Sequence, residues 1–202
     1  GRVDTEAFDI SHLSYTPSQI YFARSKRVFD LVLLALSLPV TMLLGIVIWC
    51  YLKAIDPGHS PFFVQTRRGY GGRNFRMYKF RTMYVGTHGG VAQDRDKRIM
   101  PGCHFLRKSR LDELPQLVNI WRGQMSWVGP RPESIEMARR YEAEIPQYIY
   151  RLLVLPGLTG WAQVNNGYTS NATEARVKLA YDLYYLKNLS FDLEIEILVR
   201  TV

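Results

Sequence analysis

The longest apolar run of the chain, "VFDLVLLALSLPVTMLLGIVIWCYL" from Val28 to Leu52, holds a single charge, Asp30, near its start. Drawn as a straight helix it reaches about 37 Å, beyond the ~30 Å hydrocarbon core of a bilayer. A membrane helix over 28–52 is predicted in preference to a buried core helix. Pro39 stands mid-run, where it removes one intrahelical hydrogen bond and favours a kink. Arg24, Lys26 and Arg27 precede the run, while Lys53, Arg67, Arg68, Arg73 and Arg76 follow it, so both flanks favour the cytoplasmic side. A re-entrant helix that turns back at Pro39 satisfies both flanks, whereas a spanning helix leaves one of them outside. The re-entrant form is the expectation.

The pattern then changes period. "PFFVQTRRGYGGRNFRMYKFRTM", residues 61–83, reads as a hairpin of two Phe-, Tyr- and Val-rich strands around Gly69, Gly71 and Gly72. Residues 86–102 are polar and Gly-rich and read as a loop. Leu114, Leu117, Val118 and Trp121 recur at helical spacing, which predicts a helix starting close to Asp112, with Pro115 in its first turn and that stripe buried. "YIYRLLVL", residues 148–155, fits a membrane-surface segment and a core segment equally, and Trp121, Trp127 and Trp161 are candidate interfacial anchors. After the turn-rich "PGLTGWAQVNNGYTSN", Asn171 and Glu174 form a capping-box pattern before a helix with Val177, Ala180, Tyr181 and Tyr184 on one face. The fold class expected is α+β and mostly helical: the kinked membrane helix, a small β-hairpin and amphipathic interfacial helices. There is no internal repeat.

Composition narrows the function. The 202 residues suit one domain, and 26 Lys and Arg against 18 Asp and Glu give a charge of +8, which favours an anionic partner. Two cysteines, Cys50 and Cys103, make neither a zinc site nor a disulfide framework, and a reducing compartment fits. The sequons at Asn171 and Asn188 are expected to be inert there. No cleavable signal peptide is expected, and a chain running from Gly1 into "LEIEILVRTV" reads as a piece of a longer protein.

Candidate chemistry centres on "SRLDELPQLVNIWRGQMSWVGPRPE", residues 109–133. Asp112 and Glu113 are either a helix cap and its neighbour or a reacting pair facing a phosphate. The glycines at 69–72 match neither the Walker nor the dinucleotide pattern. No HExxH or GxSxG occurs. Phe75, Arg76, Tyr78, Lys79, Phe80 and Arg81 interleave aromatics and bases, a pattern suited to stacking single-stranded nucleic acid or to lining a nucleotide pocket.

"KRVFDL", "FVQTRRG", "MYKFRTM", "RLDELPQL", "MSWVGPRP", "PGLTGWAQVN" and "YDLYYLKNLSFDLEI" together resemble the bacterial sugar transferase family, the monotopic phosphoglycosyl transferases. The likeness runs from about Lys26 to Val202, leaving residues 1–25 as an N-terminal arm. It implies a re-entrant helix and amphipathic helices on the cytoplasmic face of the bacterial inner membrane. It also implies transfer of a phosphosugar from a UDP-sugar to a polyprenyl phosphate, initiating a surface glycan. On the family pattern Asp112 matches the nucleophile and Glu113 the Mg²⁺ ligand. Arg107 and Arg131 match basic residues near the phosphates, Lys79 and Arg81 fall in the "KFRTM" block, and Gln163 falls in a loop that helps close the site. The partners implied are a UDP-sugar, a polyprenyl phosphate and the membrane, with no nucleic acid and room for a homo-oligomer. The resemblance to longer members implies a further N-terminal membrane region. "VNNGYTSN" departs from the family, with Asn166 in place of a Gly and Tyr168 where a base is common, so no donor sugar is carried over. The alternative function is a membrane-tethered basic module for nucleic acid or anionic lipid.

Overall fold

A computed structural model describes residues 16–86, 96–165 and 172–201. Helix α1 spans Pro17–Ile55. Its start is set by a capping box: Thr16 Oγ1 accepts from the Gln19 amide while the Gln19 side chain accepts from the Thr16 amide, and Pro17 takes the first helical position. The helix therefore begins well before Val28, and residues 17–25, expected in a separate arm, are its opening turns. It is also helical through Pro39. The proline forfeits one bond but does not divide the segment into two helices. The Ser37 and Thr41 hydroxyls beside it donate back to the carbonyls of Leu34 and Ser37, a habit that bends helices.

Both ends of α1 are fastened to one body. Phe22 packs with Leu189, Leu193 and Ile197, Leu34 with Met77 and Ile120, and Ile48 and Leu52 with Phe80 and Met100. Between them Leu36, Val40, Leu43 and Val47 are exposed. The basic residues flanking the run are partly spent on this docking: Lys26 donates to Glu194 at 2.6 Å, and Arg27 donates to the carbonyls of Ile120 and Trp121 at 2.5 and 2.6 Å. Buried Asp30 accepts from Ser126 Oγ at 2.9 Å, and the indole of Trp127 donates to the Asp30 carbonyl. Trp127 is thus a docking residue, and Trp161 stacks on Tyr184. Of the three candidate anchors only Trp121, 68% exposed, is open to a membrane surface.

The hairpin forms as expected, β1 (Phe62–Arg68) pairing antiparallel with β2 (Asn74–Phe80) around a turn at Tyr70–Gly72. Helix α2 (Cys103–Lys108) emerges from the end of the stretch read as loop. A 3₁₀ segment, Leu111–Gln116, leads into the short helix α3 (Leu117–Trp121). Of the expected stripe Leu117 is buried and Leu114 half-buried, while Val118 and Trp121 are exposed; Ile120, outside that stripe, faces the core. The tighter 3₁₀ turn rotates the residues after Pro115 off the α-helical phase.

Strand β3 (Ser126–Val128) pairs in parallel with β4 (Gly157–Thr159), a contact no local pattern announces. Glycine makes the approach possible, since a Cβ on Gly157 would lie 2.1 Å from the Gly129 nitrogen. Helix α4 (Ile135–Glu144) and a 3₁₀ segment, Pro146–Leu153, follow. In the latter Tyr148 and Arg151 point inward while Ile149 and Leu153 stay exposed. Helices α5 (Trp161–Asn165), α6 (Ala172–Lys187) and α7 (Phe191–Thr201) close the fold. The buried face of α6 is Ala175, Leu179, Ala180, Leu183 and Leu186, and of the expected face Val177 and Tyr184 are exposed. Asn171 and the departures at Asn166 and Tyr168 lie outside the described residues.

Candidate active site

The Asp112–Glu113 pair sits in the 3₁₀ segment packed against β2. Asp112 is not a helix cap. The cap position belongs to Arg110, whose left-handed backbone (φ 56°) is the one positive φ outside glycine among the described residues. That conformation costs on the order of 1 kcal/mol for a residue with a Cβ. It turns the chain so that both carboxylates point inward, and Asp112 is 8% and Glu113 5% exposed.

The two acids are in opposite states. Glu113 Oε1 accepts from Lys79 Nζ at 2.7 Å and from Arg131 Nη2 at 2.6 Å, and Oε2 meets Arg131 Nη1 at 3.4 Å. Burial raises its pKa, but Arg131 and Lys79 prevail and hold it down to about 2. Asp112, one residue away, accepts no hydrogen bond from the described residues. Burial pushes its pKa above the usual carboxylate range and Glu113 adds to the push, against the opposing charges of Lys79, Arg107 and Arg131.

Lys79, Arg131, Asp112 and Glu113 are brought together, and Arg107 bears on Asp112 while donating to Thr82 Oγ1 at 3.3 Å. Arg81 turns the other way: it pairs with Asp56 at 2.9 Å, donates to the Ser60 carbonyl at 2.6 Å, and so ties the hairpin to the end of α1. Gln163 donates to the Leu158 carbonyl at 3.2 Å, a local tie, and bonds neither acid among the described residues. The stacking platform read from β2 is absent, since Phe75 and Phe80 are buried and Tyr78 is covered by Arg122.

Sequence reading missed a second set of charges. Glu133 is bonded by Lys178, by Tyr148 Oη at 3.2 Å and by Arg151 at 3.5 Å, and Arg151 is paired with Asp182 at 2.8 Å. Arg67 joins it, donating to the Pro132 carbonyl at 3.1 Å. A signal was available: Arg151 is the lone charge of "YIYRLLVL", and a charge in an apolar run needs buried partners.

A long apolar helix with a bare midsection is joined to a body that buries, among Lys and Arg side chains, an acid without a hydrogen bond from the described residues. The family model described as bacterial sugar transferase matches residues 21–202, and the chain belongs to that family. It is 40% identical, over all of its length and 48% of the relative's, to a protein of Aeromonas hydrophila. That relative is named UDP-N-acetylgalactosamine-undecaprenyl-phosphate N-acetylgalactosaminephosphotransferase. It is 42% identical to the UDP-glucose:undecaprenyl-phosphate glucose-1-phosphate transferase of Xanthomonas campestris pv. campestris, over 90% of this chain and 38% of that one. It is 37% identical to the exopolysaccharide production protein PSS of Rhizobium leguminosarum bv. phaseoli, over 88% of this chain and 92% of that one. The chain thus spans less than half of the first two relatives.

Proposed function

We propose that the chain is the catalytic portion of a transferase that moves a sugar 1-phosphate from a UDP-sugar to undecaprenyl phosphate, initiating a surface glycan, through a phosphosugar held covalently on Asp112. The observation that carries the reading is the division of states within the pair. A carboxylate free of hydrogen bonds and short of water is a better nucleophile than one clamped by two cations. An Asp112 oxygen attacks the β-phosphorus of the UDP-sugar, the bond from that phosphorus to the bridging oxygen breaks, and UMP leaves with the electron pair. An oxygen of the polyprenyl phosphate then attacks the same phosphorus, the acyl-phosphate bond breaks, and the Asp112 carboxylate returns. Lys79, Arg107 and Arg131 supply positive charge to the phosphoryl oxygens. The names of the relatives support the donor and acceptor classes; neither donor sugar is preferred.

Mg²⁺ is compatible with the donor set. The described residues hold no group of three or more metal-ligating side chains, but Mg²⁺ beside a diphosphate needs only one or two carboxylates, with phosphates and water completing its shell. Glu113 is ionised, and its Oε2 retains a lone pair beyond the long Arg131 contact. Glu113 would hold the ion, which would neutralise diphosphate charge.

Intact-mass analysis after incubation with a UDP-sugar alone tests the covalent step. The native protein should gain the mass of a phosphosugar and release UMP, and Asp112→Asn should do neither, with turnover at least about a thousandfold down. UMP release only when polyprenyl phosphate is also present, without an adduct, would sink the nucleophile assignment.

The same reading makes α1 re-entrant on the cytoplasmic leaflet, supported by the fastening of both its ends to one body. Single cysteines at Ser25 and Ala54, in a background lacking Cys50, should both resist an impermeant thiol reagent in intact spheroplasts. Labelling at Ser25 would mean that the helix spans.

A further inference from the structure

The segment Pro130–Arg131–Pro132–Glu133 is a strap between the Glu113 clamp and the Glu133 cluster. Arg131 lies between two prolines, so the strap has few amides with which to fasten itself. It is held by its carbonyls instead. Those of residues 130 to 133 accept in turn from Gly157 N at 3.0 Å, Arg151 Nη2 at 2.9 Å, Arg67 Nη1 at 3.1 Å and Arg68 N at 3.0 Å. Arg151 is the contact to the residue that itself grips Glu113.

Arg151 is held mainly by residues distant in sequence. Its Nε and Nη2 engage Asp182 of α6 at 2.9 and 2.8 Å, its Nη1 donates to Tyr148 Oη at 2.9 Å, and its side chain is 4% exposed. A planar guanidinium offers donors in a fixed fork and makes these bonds together, while an ammonium keeps the charge and loses the fork. A buried ionic cluster is a poor source of stability compared with apolar packing. It is well suited to fixing one geometry.

We infer that Arg151 is a positioning residue: braced by Asp182 and Glu133, it holds the Arg131 carbonyl so that the Arg131 guanidinium stays locked on Glu113. The catalytic consequence rests on the reaction proposed above, but the positioning itself does not. Loosening Arg131 frees its guanidinium from the 2.6 Å contact with Glu113 Oε1 and opens it to solution.

Two readouts on the full chain in detergent micelles separate the claims. Phenylglyoxal modifies guanidinium groups that are open to solution. Arg131, paired with Glu113, should be protected in the native protein and modified severalfold faster in Arg151→Lys, as read by peptide mass spectrometry. Asp182→Asn, which keeps the side-chain shape, carries the same expectation should Arg151→Lys fail to fold. In the UMP-release assay, Arg151→Lys should lose on the order of tenfold to a hundredfold in turnover per folded molecule. Adding it to Arg131→Lys should bring little further loss. A merely structural Arg151 would lower the amount of active protein and leave the Arg131 modification rate at its native value. Arg131 as protected as in the native protein in a folded Arg151 or Asp182 variant overturns the inference. A native protein that releases no UMP overturns the proposed reaction and leaves the modification result to decide the positioning.

Discussion

Among the described residues Glu113 and Glu133 are the two carboxylates that their surroundings hold down to about 2, and each is bonded by one lysine and one arginine. By charge alone they are equivalent. They differ in their neighbours: beside Glu113 lies Asp112, an acid without a hydrogen bond among the described residues, whereas the Glu133 cluster has a partner for every acid it contains, Asp182 included. Perturbed acids gather both at reactive sites and in structural ion networks. On the reaction proposed above, the incomplete cluster is the one arranged for chemistry.

The largest expected separation comes from neutralising each glutamate in turn. Both substitutions should lower stability by about 3 kcal/mol, because each leaves a lysine and an arginine short of a buried counter-charge. Glu113→Gln should in addition cost on the order of a hundredfold in UMP release per folded molecule, partly restored at high Mg²⁺. Glu133→Gln should lower turnover per folded molecule far less. Thermal unfolding and UMP release on both variants decide the matter, and equal profiles would erase the distinction.

Acid comes next in size. A carboxylate with a folded pKa of about 2 against an ordinary 4.5 contributes stability that is present above pH 4.5 and lost as pH falls towards 2, on the order of 3 kcal/mol for each such group. Asp112, with its pKa raised, has the opposite sign: it favours the folded state when protonated and this contribution is lost as pH rises through its folded pKa. The proposed attack needs it ionised. Turnover should therefore fall on acidification before the fold does. Coincident loss of activity and of near-ultraviolet dichroism would contradict this order.

The smallest effect is expected at Arg81. Its contacts are Asp56 and backbone carbonyls rather than either acid. Arg81→Lys should change turnover within about threefold, while Lys79→Met, which removes a cation from Glu113, should cost far more. A large loss for Arg81→Lys measured on a folded sample would return that side chain to the phosphate site.

What the chain declared by itself was local in origin. The apolar run at 28–52, the hairpin around Gly69–Gly72 and the acid pair all follow from hydropathy, turn residues and adjacency, and a single stretch of sequence carries each of them. Tertiary structure decided what one stretch cannot encode. The parallel pairing of β3 with β4 joins residues about thirty positions apart through a glycine contact. Asp112 and Glu113 are alike in sequence, and they diverge because Lys79 on β2 and Arg131 on the proline strap converge on one and miss the other. Arg81, two residues beyond Lys79 and just past the end of β2, is drawn instead to Asp56 at the end of α1. Charges interact through space at a few ångströms, and which charges come that close is settled when the elements pack.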